Sequence, residues 1–217
     1  MKLPQIAKQH LIIFTRYPEA GKTKTRLIPA LGAEGAASLH RQMTEHTLSQ
    51  VRQLHIDPPH GGFSFEVRYA GGDLQLMQDW LGTDLVYQSQ GEGDLGQRMV
   101  RSLVAFESGT EQAVIIGSDC PGLNTQILAQ AFKHLYLHDL VLGPALDGGY
   151  YLIGLRCLIK ELFTNIDWGT ARVLQQTIDV AQQLNLSVAD LPPLADVDRP
   201  EDLPIWEKIV NSNSNLV

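Results

Sequence analysis

Seven apolar runs of strand length alternate along this chain with longer segments of helical period. The predicted strands are His10–Thr15, Phe63–Ala70, Leu85–Gln88, Ala113–Gly117, Leu140–Ala145, Tyr150–Leu155 and Ser187–Leu191. The predicted helices are Ala33–Leu54, Leu74–Leu81, Leu95–Glu107, Thr125–Leu137 and Thr170–Leu184. Leu11–Phe14 and Val114–Ile116 are apolar throughout, which is typical of strands that helices cover on both faces. The alternation predicts an α/β fold with a mostly parallel sheet and helices on both faces.

Length and composition favour one domain. The chain has 217 residues and 44% hydrophobic content, which is long enough for one buried core and short for two. We therefore predict a single domain over residues 1–210 and a flexible tail over the Asn/Ser-rich residues 211–217. Pro58–Gly62 is predicted to be a loop because proline and glycine dominate it.

The charge balance and the cysteine content exclude several classes of protein. The net charge is −7, whereas a general nucleic-acid binder needs a basic face to neutralise phosphates. Cys120 and Cys157 are too few for a zinc site and poorly suited to a disulfide scaffold. No apolar run approaches the roughly 20 residues of a membrane helix, and Met1–Lys8 lacks the apolar core of a signal peptide. We expect a cytoplasmic protein without membrane or nucleic-acid partners.

A cationic loop follows the first predicted strand. Arg16, Lys22, Lys24 and Arg26 place four of the 17 basic residues within eleven positions, and Gly21 lets the backbone turn among them. Arginine can hold phosphate oxygens bidentately and lysine supplies a point charge, so such a loop suits a polyphosphate. A P-loop is excluded because Arg16 stands where that motif needs a glycine. The remaining alternative is a solvated loop whose charges face water.

Carboxylates follow two later strands. Asp119 comes shortly after the fourth predicted strand, and Asp147 precedes Gly148 and Gly149 after the fifth. The carboxyl ends of parallel strands share one edge of the sheet, so the cationic loop and both carboxylates should meet in one crevice. A carboxylate there can hold Mg²⁺ against substrate phosphates. Both aspartates could instead be turn residues, because aspartate forms local hydrogen bonds that favour turns.

Asp196 and Asp198 are separated by one residue near the end of the chain. Residues two apart in an extended segment point to the same side, so both carboxylates can converge on one cation or on two neighbouring ones. Asp198 also precedes Pro200, Glu201 and Asp202, a pattern that is typical of a capped helix start. Capping would explain Asp198 and leave Asp196 unexplained.

A glycine-rich turn precedes the helix that is predicted to begin at Leu95. The segment Gly91–Gly96 contains three glycines and the acidic residues Glu92 and Asp94. Such a turn into a helix start can present backbone N–H groups to a base or a phosphate. We take Gly93, Asp94 and Gly96 as candidate nucleotide contacts.

Five segments together resemble a known family of GT-A-like transferases. They are Pro18–Leu27, Gly93–Met99, Gly117–Pro121, Gly143–Tyr151 and Asp196–Leu203. The resemblance is to the radical-SAM/selenodomain-associated transferase 1 family, and it covers nearly the whole chain. That family is similar to the phospholactate and phosphoenolpyruvate guanylyltransferases and, more distantly, to the molybdenum-cofactor guanylyltransferases. The resemblance implies the Rossmann-like fold of nucleotide-diphospho-sugar transferases.

The resemblance also implies roles for single residues. In the guanylyltransferases a Lys-x-Arg-Leu loop contacts the triphosphate, and Lys24 and Arg26 occupy that loop here. An aspartate after the fourth strand and a C-terminal Asp-x-Asp hold the metals in those relatives, and Asp119, Asp196 and Asp198 occupy these places. Glycosyltransferases of this fold usually carry Asp-x-Asp at the central metal site. This chain has Ser-Asp-Cys there, which weakens a sugar-transfer assignment.

We expect an Mg²⁺- or Mn²⁺-dependent nucleotidyltransferase that joins a nucleoside monophosphate from an NTP to a small phosphorylated or hydroxylated acceptor. Its expected catalytic residues are Lys24, Arg26, Asp119 and Asp147, and its expected metal ligands are Asp119, Asp196 and Asp198. The expected nucleotide contacts are Thr15, Arg16, Gly21, Lys22, Lys24, Arg26, Gly93, Asp94 and Gly96. The expected acceptor contacts are Asp147, Gly148 and Gly149. The alternatives are a glycosyltransferase that uses a nucleotide sugar with Asp147 as base, and a non-catalytic nucleotide-binding protein.

Overall fold

The structure is a computed structural model that describes residues 8–54 and 62–214, without the side chains of 213 and 214. It contains seven strands: β1 (Gln9–Arg16), β2 (Phe63–Ala70), β3 (Val86–Ser89), β4 (Gln112–Ile116), β5 (Leu140–Pro144), β6 (Tyr150–Leu155) and β7 (Val188–Asp190). All seven predicted strands are confirmed to within one residue at each end. Residues 58–61 of the predicted loop lie outside the described residues.

The strands form one sheet in the order β3-β2-β1-β4-β6-β5-β7. β1 is parallel to both of its neighbours, and β6 lies antiparallel between β4 and β5. Among the described strands β6 alone reverses direction, so the prediction of a mostly parallel sheet is confirmed. The loops that follow β1, β4 and β5 consequently leave the sheet at the same edge.

The two faces of the sheet bury separate cores because β1 is apolar on both sides. Leu11 and Ile13 of β1 contribute to one core, and Ile12 and Phe14 contribute to the other. The helices are α1 (Ile28–Arg52), α2 (Leu74–Leu81), α3 (Leu95–Ser102), α4 (Thr125–His134), α5 (Val173–Gln183) and α6 (Leu203–Ser214). Residues of α1, α2 and α4 belong to the first core, and residues of α3 and α5 to the second. No helix of the described segments is long and apolar enough to cross a membrane.

Two predicted helices differ in extent from the observed ones. Gly32 has φ 71° and ψ 169°, which interrupts α1, so the regular helix runs from residue 33 as predicted after an additional turn. α3 ends at Ser102 and continues as the 3₁₀ segment Leu103–Ser108, where the prediction extended the α-helix.

Helix α6 corrects the prediction of a flexible tail for residues 211–214, which form its end. Leu203, Ile205 and Trp206 pack against a small third core, which contains Leu27, Ala36, Leu39, Met43 and Val197. A helix this short is marginal alone in water, so its tertiary contacts stabilise it. The polar composition that indicated a tail describes only its last turn.

Candidate active site

A pocket of about 350 Å³ opens at the carboxyl edge of the sheet. Six predicted site residues line it: Arg26, Asp119, Asp147, Gly149, Asp196 and Asp198. A larger hollow of about 540 Å³ lies beside Gln112 at the opposite edge and contains none of the predicted site residues. The strand-end pocket is therefore the candidate active site, as expected for an open α/β sheet.

Lys24 lies beneath this pocket. Its backbone is left-handed, with φ 49° and ψ 46°, a conformation that costs a residue other than glycine roughly 1–2 kcal/mol. Its ammonium donates a hydrogen bond to the carbonyl of Val197 at 2.7 Å. The same Nζ atom lies 2.9 Å from Oδ1 of Asp119 and 3.7 Å from Oδ1 of Asp198, and only 4% of the side chain is exposed. The solvated-loop alternative is therefore wrong for Lys24.

Arg26 and Asp198 form an ion pair at the pocket wall. Nη1 of Arg26 donates to Oδ2 of Asp198 at 2.6 Å. Asp198 does not cap the helix start: Arg199 is the N-cap of the 3₁₀ turn Pro200–Asp202, and the carboxylate of Asp202 accepts from the backbone N–H groups of Asp198 and Arg199. The carboxylate of Asp198 is thus available to the two cations of the loop after β1.

Val197 joins the C-terminal segment to the loop after β4. Its backbone N–H donates to the carbonyl of Asp119 at 2.9 Å, and its side chain is fully buried. Asp196 and Asp198 flank this buried residue and both line the pocket. The carboxylates of Asp196 and Asp198 therefore reach the same cavity as that of Asp119, which is distant from them in sequence.

Asp147 and Asp196 form a second acidic group in the pocket. Neither has an ion-pair partner within the described segments. The carboxylate of Asp147 accepts from the backbone N–H of Gly149 at 2.8 Å, so the predicted turn is also present. Burial, and then the nearby charge of Asp147, raise the pKa of Asp196 above its ordinary value. Asp119 and Asp198 form ion pairs with Lys24 and Arg26, whereas Asp147 and Asp196 form none within the described segments.

Cys120 lines the pocket beside Asp119. Burial raises the pKa of its thiol, and the negative charges of Asp119 and Asp196 raise that pKa further. A neutral thiol is a poor nucleophile and a poor ligand for a hard cation. Cys120 therefore serves as a small apolar wall residue.

Several predicted nucleotide contacts lie outside the pocket. Thr15 is buried, and its hydroxyl lies 3.0 Å from that of Thr44. Lys22 is exposed and pairs with Glu19 at 2.7 Å. The exposed Arg16 and Gly21 lie at the carboxyl edge of β1 without lining the pocket.

The glycine-rich turn before α3 has structural functions. Asp94 caps α3 by accepting from the N–H of Gln97 at 2.8 Å, and the Gln97 side chain accepts from the N–H of Asp94. A Cβ at Gly96 would meet the carbonyl of Phe163 and the ring of Trp168. None of the three predicted contacts in this turn, Gly93, Asp94 and Gly96, lines the pocket.

The sequence analysis missed an apolar wall opposite the aspartates. Its members are Leu95, Tyr150, Tyr151, Trp168 and Val173. The Tyr150 and Trp168 rings pack edge to face, with their centroids 6.5 Å apart. A tryptophan within the glycine-containing segment 165–170 was the available signal, because a large aromatic residue in a loop often contacts a ligand.

The donor set fits a divalent cation after one rearrangement. Carboxylate oxygens are the ligands that Mg²⁺ and Mn²⁺ prefer. Within residues 8–54 and 62–214, no group of three or more His, Cys, Asp or Glu side chains is already arranged around a cation position. The ammonium of Lys24 lies between Asp119 and Asp198 instead, which shows that these two carboxylates can share one positive charge.

A family model described as "Uncharacterized protein conserved in bacteria (DUF2064)" matches residues 59–170. A putative nucleotide-diphospho-sugar transferase from Desulfovibrio desulfuricans G20 is 35% identical, with a TM-score of 0.82 over 89% of this chain and 83% of that chain. The chain belongs to the DUF2064 family. Its α/β fold is that of the nucleotide-diphospho-sugar transferases. No match was found among the curated proteins.

More distant structures share the fold. CMP:2-keto-3-deoxy-manno-octonic acid synthetase, complexed with CTP, is 9% identical, with a TM-score of 0.58 over 95% of this chain and 100% of that one. Glucosyl-3-phosphoglycerate synthase from Mycobacterium tuberculosis, in complex with Mn²⁺, UDP and glucosyl-3-phosphoglycerate, is 15% identical. Its TM-score is 0.54 over 90% of this chain and 74% of that one. At these identities the two structures show that the fold is shared, one in a protein complexed with CTP and one in a protein complexed with Mn²⁺ and UDP.

Asp196→Asn is expected to stabilise the protein at neutral pH. The pKa of Asp196 is raised in the folded state, so the stability that its protonated form provides is lost as the pH rises through that pKa. The asparagine side chain stays neutral at every pH. The melting temperature of the variant should therefore exceed that of the parent at pH about 8 and match it at pH about 3. Melting curves across this range test the prediction, and a difference independent of pH would contradict it.

Proposed function

We propose that the protein is a nucleotidyltransferase that joins the nucleoside monophosphate of an NTP to a small acceptor and releases pyrophosphate. A divalent cation, Mg²⁺ or Mn²⁺, is required. The observation that carries the proposal is the position of Lys24 and Arg26, which lie directly on the carboxylates of Asp119 and Asp198 at the strand-end pocket.

The cationic side chains support a triphosphate ligand. A triphosphate carries about two more negative charges than the esterified diphosphate of a nucleotide sugar, because its third phosphate holds two charges near neutral pH. The divalent cation offsets the carboxylates of Asp119 and Asp198 that hold it, so Lys24 and Arg26 remain as the two cations for the terminal phosphate. This supports the resemblance to the guanylyltransferases.

The residues divide into two functional groups. Asp119 and Asp198 hold the divalent cation, which neutralises phosphate charge when bound. Lys24 and Arg26 bind the terminal phosphates and stabilise the negative charge that develops on the departing pyrophosphate. The remaining predicted contacts on the loop after β1, Arg16, Gly21 and Lys22, shape or flank this phosphate site.

The acceptor end favours a hydroxyl compound over a phosphorylated one. Asp147 and Asp196 would repel a phosphate, and Arg26 is the one basic side chain among the described lining residues. Asp147 is positioned to take the proton from an acceptor hydroxyl. Trp168 and Tyr150 offer an apolar face to the rest of the acceptor, so its carbon skeleton should be flat or apolar on one side.

Glycosyl transfer from a nucleotide sugar is the second candidate. The relative that is 35% identical carries the name of a putative nucleotide-diphospho-sugar transferase. Asp147 would again act as base toward the acceptor. The free thiols of Cys120 and Cys157 and the acidic charge support a cytoplasmic location for either activity.

Calorimetric titration with matched ligands distinguishes the two activities. With Mn²⁺ present, the NTP of the preferred base should bind at least about tenfold more tightly than its nucleotide sugar, because each charge-assisted phosphate contact is worth roughly 1.5–3 kcal/mol. Equal affinity, or a preference for the sugar, would favour glycosyl transfer. A protein that binds neither ligand would contradict both activities.

Arg26→Gln should weaken NTP binding by roughly 10–100-fold and reduce the advantage of the NTP over the nucleotide sugar. Its side chain is 63% exposed, so the melting temperature of the free protein should change little. The matched control is Arg52→Gln, because Arg52 pairs with Asp84 at the surface at 2.9 Å. The same titration measures both variants, and unaltered NTP affinity in Arg26→Gln would remove Arg26 from the phosphate site.

A further inference from the structure

His40 has a buried nitrogen atom without a hydrogen-bond partner. The residue lies on α1 and is 4% exposed. Its Nε2 atom lies 2.9 Å from the carbonyl oxygen of Arg16, which can only accept, so Nε2 carries the proton and donates. The other ring nitrogen, Nδ1, has no hydrogen-bond partner within the described segments.

The free Nδ1 atom faces the ion pair between Lys24 and Asp119. It lies 3.9 Å from Oδ1 of Asp119, which in turn lies 2.9 Å from Nζ of Lys24. A histidine that binds a metal usually donates its other ring N–H to a carbonyl or carboxylate, which fixes both the tautomer and the ring orientation. In His40 the Nε2–H group donates to the Arg16 carbonyl, so the ring is already oriented with Nδ1 toward the aspartate although no metal is bound.

Lys24 supplies the second, independent observation. Its buried ammonium touches Asp119, Asp198 and the Val197 carbonyl, which are oxygen donors of the kind that bind a metal cation. The left-handed backbone of Lys24 brings this ammonium to the aspartates. A bound positive charge thus already lies beside the free imidazole nitrogen.

We propose that Nδ1 of His40 and the carboxylates of Asp119 and Asp198 form a divalent-cation site, which the ammonium of Lys24 fills while no metal is bound. Metal binding displaces Lys24 toward the phosphates. An imidazole ligand favours Mn²⁺ or Co²⁺ over Mg²⁺. This metal site rests on the proposed function in one respect: the phosphates that the released Lys24 ammonium contacts are those of a nucleotide.

Mn²⁺ titration of the nucleotide-free protein, followed by electron paramagnetic resonance, tests the role of Lys24. Lys24→Met keeps the length of the side chain and removes the competing charge, so Mn²⁺ should bind roughly 10–100-fold more tightly than to the parent. Lys8→Met is the matched control and should leave Mn²⁺ affinity unchanged, because Lys8 pairs with Glu111 at 2.6 Å at the opposite edge of the sheet. Equal Mn²⁺ affinity in the parent and Lys24→Met overturns the proposal.

Pulsed resonance of the same samples tests His40 directly. Mn²⁺ bound to Lys24→Met should show hyperfine coupling to a nitrogen nucleus, and the coupling should disappear in Lys24→Met/His40→Phe. The control is Lys24→Met/His46→Phe, since Nε2 of His46 is already bonded to the Pro121 carbonyl at 3.1 Å and its ring packs edge to face against Trp206. Absence of the coupling from Lys24→Met overturns the proposal without requiring any His40 variant to fold.

These measurements contain no nucleotide, so their failure differs from failure of the proposed function. Tight Mn²⁺ binding with nitrogen coupling supports the site even if no NTP binds. NTP binding with Mn²⁺ that shows no nitrogen coupling overturns the site and leaves nucleotidyl transfer intact.

Discussion

Asp119→Asn should lower metal-dependent turnover by roughly 10³-fold or more, which is the largest effect on activity that the structure predicts. The amide keeps the shape of the side chain and removes the charge that attracts a hard cation. Asp119 also pairs with the Lys24 ammonium at 2.9 Å. The variant therefore loses a proposed metal ligand and also the carboxylate that positions Lys24. Nucleotide binding should weaken less than turnover, because Arg26 and the pocket walls remain.

Pyrophosphate release, measured against Mg²⁺ and Mn²⁺ concentration, tests this expectation. The control is Asp84→Asn, because Asp84 is an exposed aspartate that pairs with Arg52 far from the pocket. It should behave as the parent does at every metal concentration. If Asp119→Asn also superimposes on the parent, Asp119 is only a turn residue and the cation is held elsewhere.

Gly148→Ala should cause the largest loss of stability, about 2–4 kcal/mol of unfolding free energy. Gly148 has φ +91°, which is unfavourable for any residue with a Cβ. An added Cβ would also meet the backbone of Ala171, at its carbonyl oxygen and Cα. The carbonyl of Gly148 accepts from the N–H of Leu174 at 3.0 Å, so this contact joins the pocket loop to α5.

Gly169→Ala separates backbone strain from the steric clash. Gly169 has φ +79°, but no heavy atom lies within 4 Å of the position that its Cβ would take. Its loss should be limited to strain, about 1 kcal/mol. Urea unfolding of both variants measures the difference. Equal losses would show that Ala171 moves aside and that Gly148 is required only for its φ.

The same contact changes the interpretation of Gly148. The sequence suggested an acceptor contact, because glycine permits the close approach of a ligand. The structure shows that the backbone of Ala171 already makes that close approach. Gly149 does line the pocket. Of the two adjacent glycines, Gly148 therefore packs against the Ala171 backbone and Gly149 remains the candidate acceptor contact.

Aspartates show where sequence reasoning stops. The sequence suggested a nucleotide contact for Asp94, and either a helix cap or a metal ligand for Asp198. In the structure Asp94 caps α3, the carboxylate of Asp202 accepts from the N–H of Arg199, and the carboxylate of Asp198 pairs with Arg26. The choice depends on a contact between residues 26 and 198, which no local pattern contains.

The sequence by itself determined the seven strands, the mostly parallel sheet and the edge at which the candidate site lies. Those properties follow from local hydrophobic runs and from the rule that parallel strands end at one edge. The tertiary structure decided the packing of α6, the burial of Lys24, the apolar wall around Trp168 and the free nitrogen of His40. Each of these depends on contacts between residues that are distant in the chain. Such contacts exclude water, and the energy of a charge–charge interaction or a hydrogen bond depends on whether water is excluded.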